Sequence, residues 1–347
     1  MTSGNASPAI ATAPLPQRLL GKTGELVPIL GLGTACGGMG LDDAKAIELY
    51  ELAVDLGVTY LDTATAYGRA QAQLAHLLRR RRDEVFVATK VDSETAPEAI
   101  SILEQNLTEL GIDRVDLTYV HAVGGKDIDR LLAPDGALAG LRDARGRGLT
   151  RYLGFTSHKS PGRSARLLRE TEVDVVMFAL NPGDRHTYDF EGRVLPLANA
   201  QNAGIAAMKV YGGATDMKYE KPVHSHLSNH GPHDHQLALR YALDLPGVAT
   251  AVVGMFDADE LRKNVQWARS YTPLTSPERE LLERLGRRLG PSFRSGGISE
   301  IRIPSQSQTT AHLTVSQTFQ PPGLGKPLQL VCRSAAVGSC WRGRETS

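Results

Sequence analysis

Three short apolar runs in this chain end in ionisable side chains, at a spacing that few folds accommodate. Val58-Thr59-Tyr60 leads through Leu61 to Asp62, Val85-Phe86-Val87-Ala88-Thr89 ends in Lys90, and Val115 to Val120 ends in His121. Lys90 stands 28 residues after Asp62, and His121 stands 31 residues after Lys90. Each step is the length of one strand plus one helix. In repeated parallel strand–helix units the C-terminal ends of all strands lie on one face. The carboxylate, the ammonium and the imidazole therefore converge there, together with Tyr67, which lies in the loop after Asp62.

The rest of the chain supplies enough further units to close a barrel. Residues 17–27 read as two short strands around a glycine-containing turn, a hairpin that plugs the barrel bottom. Ile29-Leu30-Gly31-Leu32-Gly33-Thr34 is the first barrel strand and opens into a loop from Ala35 to Gly40. A helix follows from about Asp42 to Leu56, with Ile47, Tyr50 and Val54 on one face and Gly57 as its stop. The next helix covers Gln71 to Arg80; the four arginines Arg79 to Arg82 read as a solvated helix end complementing the dipole. Thr95 and Glu98 have capping-box spacing ahead of an apolar face of Ile100, Leu103, Leu107 and Leu110.

In the second half, Gly136, Gly140, Gly146 and Gly148 weaken the helix due there. Further strands are Tyr152–Thr156, Val173–Leu180, Ile205–Val210 and Thr250–Val253. A second capping box, Asp257 with Glu260, starts a helix to about Trp267, and one more helix runs from Pro277 to Leu289. Eight such units in this order make an α/β chain with a (β/α)8 TIM barrel fold. The organisation is a flexible N-terminus over 1–16, a barrel with an additional C-terminal helix over 17–290, and a tail over 291–347. That tail is rich in Ser, Gln, Thr, Gly and Pro, carries six basic against two acidic residues, and reads as disordered, with local packing near Leu328 to Val331.

Composition narrows the class further. With 347 residues and 41% hydrophobic content the chain can bury a large core, and a barrel of roughly 250 residues is one domain. A net charge of +1 gives no argument for nucleic acid or an anionic membrane. No apolar run approaches the roughly 20 residues of a membrane span. The first residues lack the basic and apolar regions of a secretory signal. Cys36, Cys332 and Cys340 have neither metal-ligand nor disulfide-framework spacing, which suits a reducing cytoplasm.

The motifs Gly31-Leu32-Gly33-Thr34, Asp62-Thr63-Ala64 with Tyr67-Gly68, Lys90, His121 and Gly154-Phe155-Thr156-Ser157 resemble those of the aldo-keto reductase superfamily, over about residues 17 to 289. The resemblance implies a TIM barrel that uses NADP(H) or NAD(H) without a Rossmann motif and interconverts carbonyls and alcohols. No Gly-x-Gly-x-x-Gly follows a strand here, so the two readings do not compete.

Hydride attack on a carbonyl builds negative charge on oxygen, which must be protonated as it forms. By resemblance Tyr67 is the acid, Lys90 supplies charge to draw the phenol's pKa down, Asp62 holds Lys90 charged, and His121 donates to the carbonyl oxygen. Taken singly each has a plainer reading: a loop cap, a half-buried aromatic, a snorkelling lysine and a core histidine. Their joint placement at matched strand ends favours the catalytic set.

The cofactor contacts implied by the resemblance fall on Gly33, Thr34 and Asp62 in the first half. In the second half they fall on Ser157 and His158, where relatives carry a Ser-Asn pair, and on Met177, which stands in place of a glutamine. Met208 takes the place of a stacking aromatic, followed by Lys209, Val210, Tyr211 and Gly212. The adenine-end segment is Gly254, Met255 and Phe256, then Lys263 and Asn264. Gly254 and Glu260 stand where relatives often place basic residues, which points to poor discrimination between NADPH and NADH.

Five histidines occur in twelve residues, His224, His226, His230, His233 and His235. They could ligate a metal, but no carboxylate or cysteine stands at helical spacing, and the segment reads as a polar loop with no metal. The expected partner is a small carbonyl or alcohol substrate, with no nucleic acid or membrane. Two other readings stay open: a sugar (aldose or lactol) dehydrogenase, and a barrel that senses nicotinamide nucleotides without turnover.

Overall fold

The computed structural model describes residues 13–213, 219, 225, 227 and 232–295, and the short stretches 316–319 and 328–331. Strands β1 (Gln17–Leu19) and β2 (Leu26–Pro28) pair antiparallel, with Leu19 opposite Leu26. Eight further strands close the barrel: β3 (Leu30–Gly33), β4 (Tyr60–Asp62), β5 (Phe86–Val91), β6 (Val115–Val120), β7 (Thr150–Ser157), β8 (Val175–Ala179), β9 (Gly204–Met208) and β10 (Val248–Gly254). They are parallel and pair in chain order, with β10 returning to β3. This is the expected fold.

The helices around the barrel are α1 (Ala35–Gly40), α2 (Asp43–Asp55), α3 (Ala70–Arg81), α4 (Ala96–Leu110), α5 (Ile128–Leu132), α6 (Ala137–Gly146), α7 (Pro161–Glu170), α8 (Phe190–Arg193), α9 (Leu195–Ala200), α10 (Pro232–Asp244), α11 (Ala258–Arg269) and α12 (Ser276–Ser295). Residues 316–319 and 328–331 pair antiparallel in a separate unit, β11 (Ser316–Phe319) with β12 (Leu328–Val331).

Period-two alternation sorts each barrel strand into two faces. Tyr60, Phe86, Ala88, Leu117, Tyr119, Val175, Met177, Ala206 and Met208 form one buried cluster, the barrel interior. The intervening residues, such as Leu61, Val87, Val120, Val176 and Ala207, join the larger cluster between barrel and helices. Inside, the Tyr60 ring stacks on Phe86 at 5.1 Å between centroids, and its hydroxyl meets that of Tyr119 at 2.9 Å. Leu20 and Val27 from the hairpin belong to the interior cluster, so the hairpin is indeed its floor. Tyr152 donates to Thr23 O (3.0 Å) and to Glu25 (2.9 Å), and Arg151 pairs with Glu25, fastening hairpin to barrel.

Some local expectations are corrected. Ala35–Gly40 is a helix rather than a loop, because its glycines admit close neighbours that outweigh their low propensity. A Cβ on Gly38 would lie 1.9 Å from Tyr67 O, and one on Gly37 would lie 2.1 Å from the Tyr50 hydroxyl. The Thr95 capping box does not form. Ser93 lies closer in the turn, accepting the Thr95 N–H (3.0 Å) and bonding Glu98 (2.9 Å). Helix α6 forms despite its glycines, since Gly140 allows close packing: a Cβ there would lie 2.7 Å from Ala96 Cα. Helix α12 runs to Ser295, past the boundary expected at 290. Most of the 291–347 stretch, and His224, His226 and His230, lie outside the described residues.

Candidate active site

Inward positions at the tops of successive strands are Asp62 on β4, Lys90 on β5 and, one step beyond β6, His121. They continue the parity of Tyr60, Ala88 and Tyr119. Lys90 and Asp62 are both buried, and Lys90 Nζ lies 2.7 Å from each carboxylate oxygen of Asp62. Its third hydrogen bond goes to Thr63 O at 2.9 Å. All three ammonium donors are thereby used. Burial drives Lys90 below and Asp62 above their ordinary values, and their mutual attraction opposes both shifts. Thr34 holds the backbone of Asp62, its N–H and hydroxyl both donating to Asp62 O (2.9 and 3.0 Å).

Tyr67 sits in the loop after β4, with Lys90 Nζ 4.6 Å from its ring centroid. The His121 ring meets Tyr67 edge-on, 6.4 Å between centroids at 87°. Phenol, ammonium and imidazole are thus brought together. One electrostatic expectation is reversed. The Tyr67 hydroxyl is pushed well above its ordinary value, by burial first and by the Asp62 carboxylate second. Lys90 spends its donors on Asp62 and Thr63 O, and it is the Asp62 carboxylate that acts on the phenol. Tyr67 is held protonated. His121 is pushed down to about 3 by burial and by Lys90. It is neutral at physiological pH and offers one N–H as donor.

The second half of the mouth is less closed. A cavity of about 220 Å³ is lined by Asp62, Tyr67, His158, Met177, Met208 and Lys209, among others. His158 continues the inward parity of β7; its ring contacts His121 (6.2 Å between centroids), and among the described residues its buried Nδ1 has no hydrogen-bond partner. Burial and neighbouring cations hold it well below the usual histidine range. Lys209 breaks β9 with a left-handed φ of +52°, which brings an otherwise outward-facing position to the cavity wall. Its carbonyl accepts from Asn181 Nδ2 (3.0 Å) and Gly212 N–H (2.7 Å). Asn181 in turn accepts the Asp184 N–H at 2.8 Å. Among the described residues the Lys209 ammonium has no ion pair within 4 Å, and burial lowers it to about 8.

Gly33, Val210, Tyr211, Gly254 and Phe256 also line the cavity. Thr34, Ser157, Gly212, Met255, Lys263 and Asn264 do not. Ser157 donates to Lys159 O (2.9 Å), Met255 is buried under the helices, and Lys263 is exposed on α11. Asn264 accepts from the Tyr211 hydroxyl and donates to Glu260 O (2.8 Å), so it holds a lining residue. Asp257 caps α11 through the N–H groups of Asp259 and Glu260, and Glu260 accepts from Phe256 N–H (2.8 Å) rather than from Asp257. Sequence reasoning missed Cys36, Tyr219 and Ser225 in the lining. Cys36 had a signal, the glycines around it, whereas Tyr219 and Ser225 lie in a segment without periodicity. Among the described residues no group of three metal-ligating side chains converges, and no helix is long and apolar enough to cross a membrane.

A dinucleotide needs hydrogen-bonding groups for its carboxamide and cations for its phosphates. The His158 Nδ1, without a hydrogen bond among the described residues, and the Lys209 ammonium, without an ion pair within 4 Å among them, fit those needs.

Comparison with known proteins bears on the same region. The model of the aldo/keto reductase family matches residues 29–285. An uncharacterised oxidoreductase of Bacillus subtilis, YqkF, is 25% identical over 306 residues, 77% of this chain and 95% of the relative. A D-threo-aldose 1-dehydrogenase of a Pseudomonas species is 30% identical over 227 residues, 54% of this chain and 67% of the relative. Among solved structures, the aldo-keto reductase AKR11C1 of Bacillus halodurans in its holo form superposes with a TM-score of 0.64 at 25% identity, covering 78% of this chain and 96% of its own.

Proposed function

Since this chain belongs to the aldo/keto reductase family of NAD(P)-dependent oxidoreductases, we propose that it interconverts aldehydes or ketones and alcohols, with Tyr67 as general acid and base. The observation that carries this reading is the Asp62–Lys90–Tyr67–His121 cluster, with both charges buried and mutually paired. His158, Lys209 and the residues around Gly254 would hold NADP(H) or NAD(H) along the cavity, and that cofactor would supply the hydride. The chain's own residues supply the rest. Neutral His121 donates a hydrogen bond to the substrate oxygen and fixes its orientation. As charge grows on that oxygen, the Tyr67 hydroxyl delivers the proton. The resulting phenolate forms beside Lys90, whose charge matters more at that stage than in the resting site. In the oxidative direction the phenolate takes the proton back.

The cofactor choice is open on both sides. Glu260 carries its carboxylate to Phe256 N–H at the start of α11, where Asp257 and Asp259 add further negative charge. Such a helix start repels a 2′-phosphate, and Lys263 is the exposed cation within reach. The expected protein binds NADPH and NADH with affinities within about tenfold of each other. An aldose or lactol is a specific substrate reading, supported by the likeness to the D-threo-aldose 1-dehydrogenase. The compartment proposed is the cytoplasm. The test is cofactor turnover with panels of aldehydes, ketones and aldoses, run in both directions with both cofactors. Turnover with any of them supports the enzyme; cofactor binding with no turnover supports a nucleotide-sensing barrel.

A further inference from the structure

Behind the catalytic face, one buried side chain joins the two elements that must stay in register for proton transfer. Asn106 on α4 is fully buried and uses its whole amide. Its Nδ2 donates to the backbone carbonyl of Lys90 (2.9 Å) and to the Thr89 hydroxyl (3.2 Å). Its Oδ1 accepts from the Thr65 hydroxyl (2.6 Å) and from Gln71 Nε2 (3.0 Å). Gln71, buried as well, accepts the Thr89 hydroxyl at 2.8 Å and donates to Glu109 at 2.7 Å. The same amide therefore holds the residue bearing the ammonium and the loop bearing the phenol.

That loop needs a tie. Thr65 lies two residues before Tyr67 in a stretch whose backbone contacts are short-range turns, such as Tyr67 N–H to Ala64 O at 3.0 Å, and the contact of Arg69 N–H with Gly38 O at 3.0 Å. Among the described residues the Tyr67 hydroxyl has no hydrogen-bond partner, so its placement follows from where the loop sits. A small slide of the loop changes the distance from phenol to Lys90 and to the substrate oxygen, and proton transfer is steep in such distances.

We propose that Thr65 and Asn106 are positioning residues for proton transfer, the Thr65 hydroxyl and the Asn106 amide setting Tyr67 against Lys90. The inference rests on Tyr67 being the proton donor. Thr65 is exposed apart from this contact, so Thr65→Val removes one hydroxyl without opening a core cavity. The expected result is a roughly 3- to 10-fold fall in kcat, the scale of one neutral hydrogen bond. Cofactor Kd and melting temperature stay at the parent's values, and Thr65→Ser restores kcat.

A double-mutant cycle separates positioning from general loosening. In the Tyr67→Phe background, where no phenol remains to be placed, Thr65→Val produces no further fall. Parent-level kcat in Thr65→Val, or an equal fall in both backgrounds, overturns the proposal while leaving Tyr67 as the acid. Parent-level kcat in Tyr67→Phe removes the acid assignment itself, and the positioning role with it.

Discussion

The two halves of the barrel mouth are built on the same strand-end positions and are finished differently. Around β4, β5 and β6 the polar atoms of Asp62 and Lys90 are satisfied within the protein, and the ammonium has three partners. Around β7, β8 and β9 the inward or cavity-facing groups are left open among the described residues: His158 Nδ1 has no hydrogen-bond partner there, Lys209 has no ion pair within 4 Å, and Met177 and Met208 have nothing to donate. Unsatisfied buried polar groups are costly, and they persist where a ligand completes them. On the function proposed above, the first half is preorganised for chemistry and the second is shaped for the cofactor.

If that contrast is right, cutting the first half does the greatest damage. Lys90→Met leaves Asp62 as an unpaired carboxylate in a buried site and should lower stability by about 3–5 kcal/mol. Chemical denaturation measures it, and the double variant Lys90→Met with Asp62→Leu should recover much of the loss. A Lys90→Met protein as stable as its parent would mean that the pair is not the closed unit described here.

The same cut in the second half should touch binding rather than folding. Lys209→Met removes a cation that has no ion pair within 4 Å among the described residues and only a longer-range attraction to the buried Asp184, so melting temperature should change little while both cofactors bind on the order of 10- to 100-fold more weakly. Because burial lowers Lys209 to about 8, the parent's affinity for either anionic cofactor should decline as pH rises through that value. The variant's affinity should be flat over the same range. Fluorescence titrations of NADH and NADPH across that range sharpen the comparison, and a loss confined to NADPH would reassign Lys209 to the 2′-phosphate.

The smallest effect spans both halves. His121 and His158 are held neutral by burial, His121 down to about 3 from an ordinary 6.5. A histidine with a depressed folded value adds stability above its unfolded value and loses it as pH falls. Stability should therefore decline as pH falls below roughly 6.5, by at most about 1.4 kcal/mol per pH unit for His121. Melting curves taken from neutral to mildly acid pH should show this slope, and His158→Asn should flatten part of it.

What was legible in the sequence follows the same division. Asp62, Lys90 and His121 could be read because period-two alternation and the strand–helix spacing place inward strand-end residues together whatever the loops do. Tyr67 could be read from its distance to Asp62, but not its titration, since that depends on Lys90 spending its three donors elsewhere. The Thr65–Asn106 tie was hidden for a similar reason: Asn106 looks like one polar residue on an otherwise apolar helix face. On the other side, Lys209 has outward parity and reaches the cavity through a left-handed backbone that no local signal announces, although Gly212 and Gly213 follow it. Ser157 fits the motif yet bonds Lys159 O instead of lining the cavity.

The central claim is that the first half performs the proton transfer while the second holds the cofactor, and Tyr67→Phe tests it most directly. This variant keeps the ring and removes only the hydroxyl. Measured side by side with the parent, its kcat should fall by about 10²–10⁴ while cofactor Kd stays within about twofold. Unchanged turnover, or a cofactor affinity that falls together with kcat, would contradict the account.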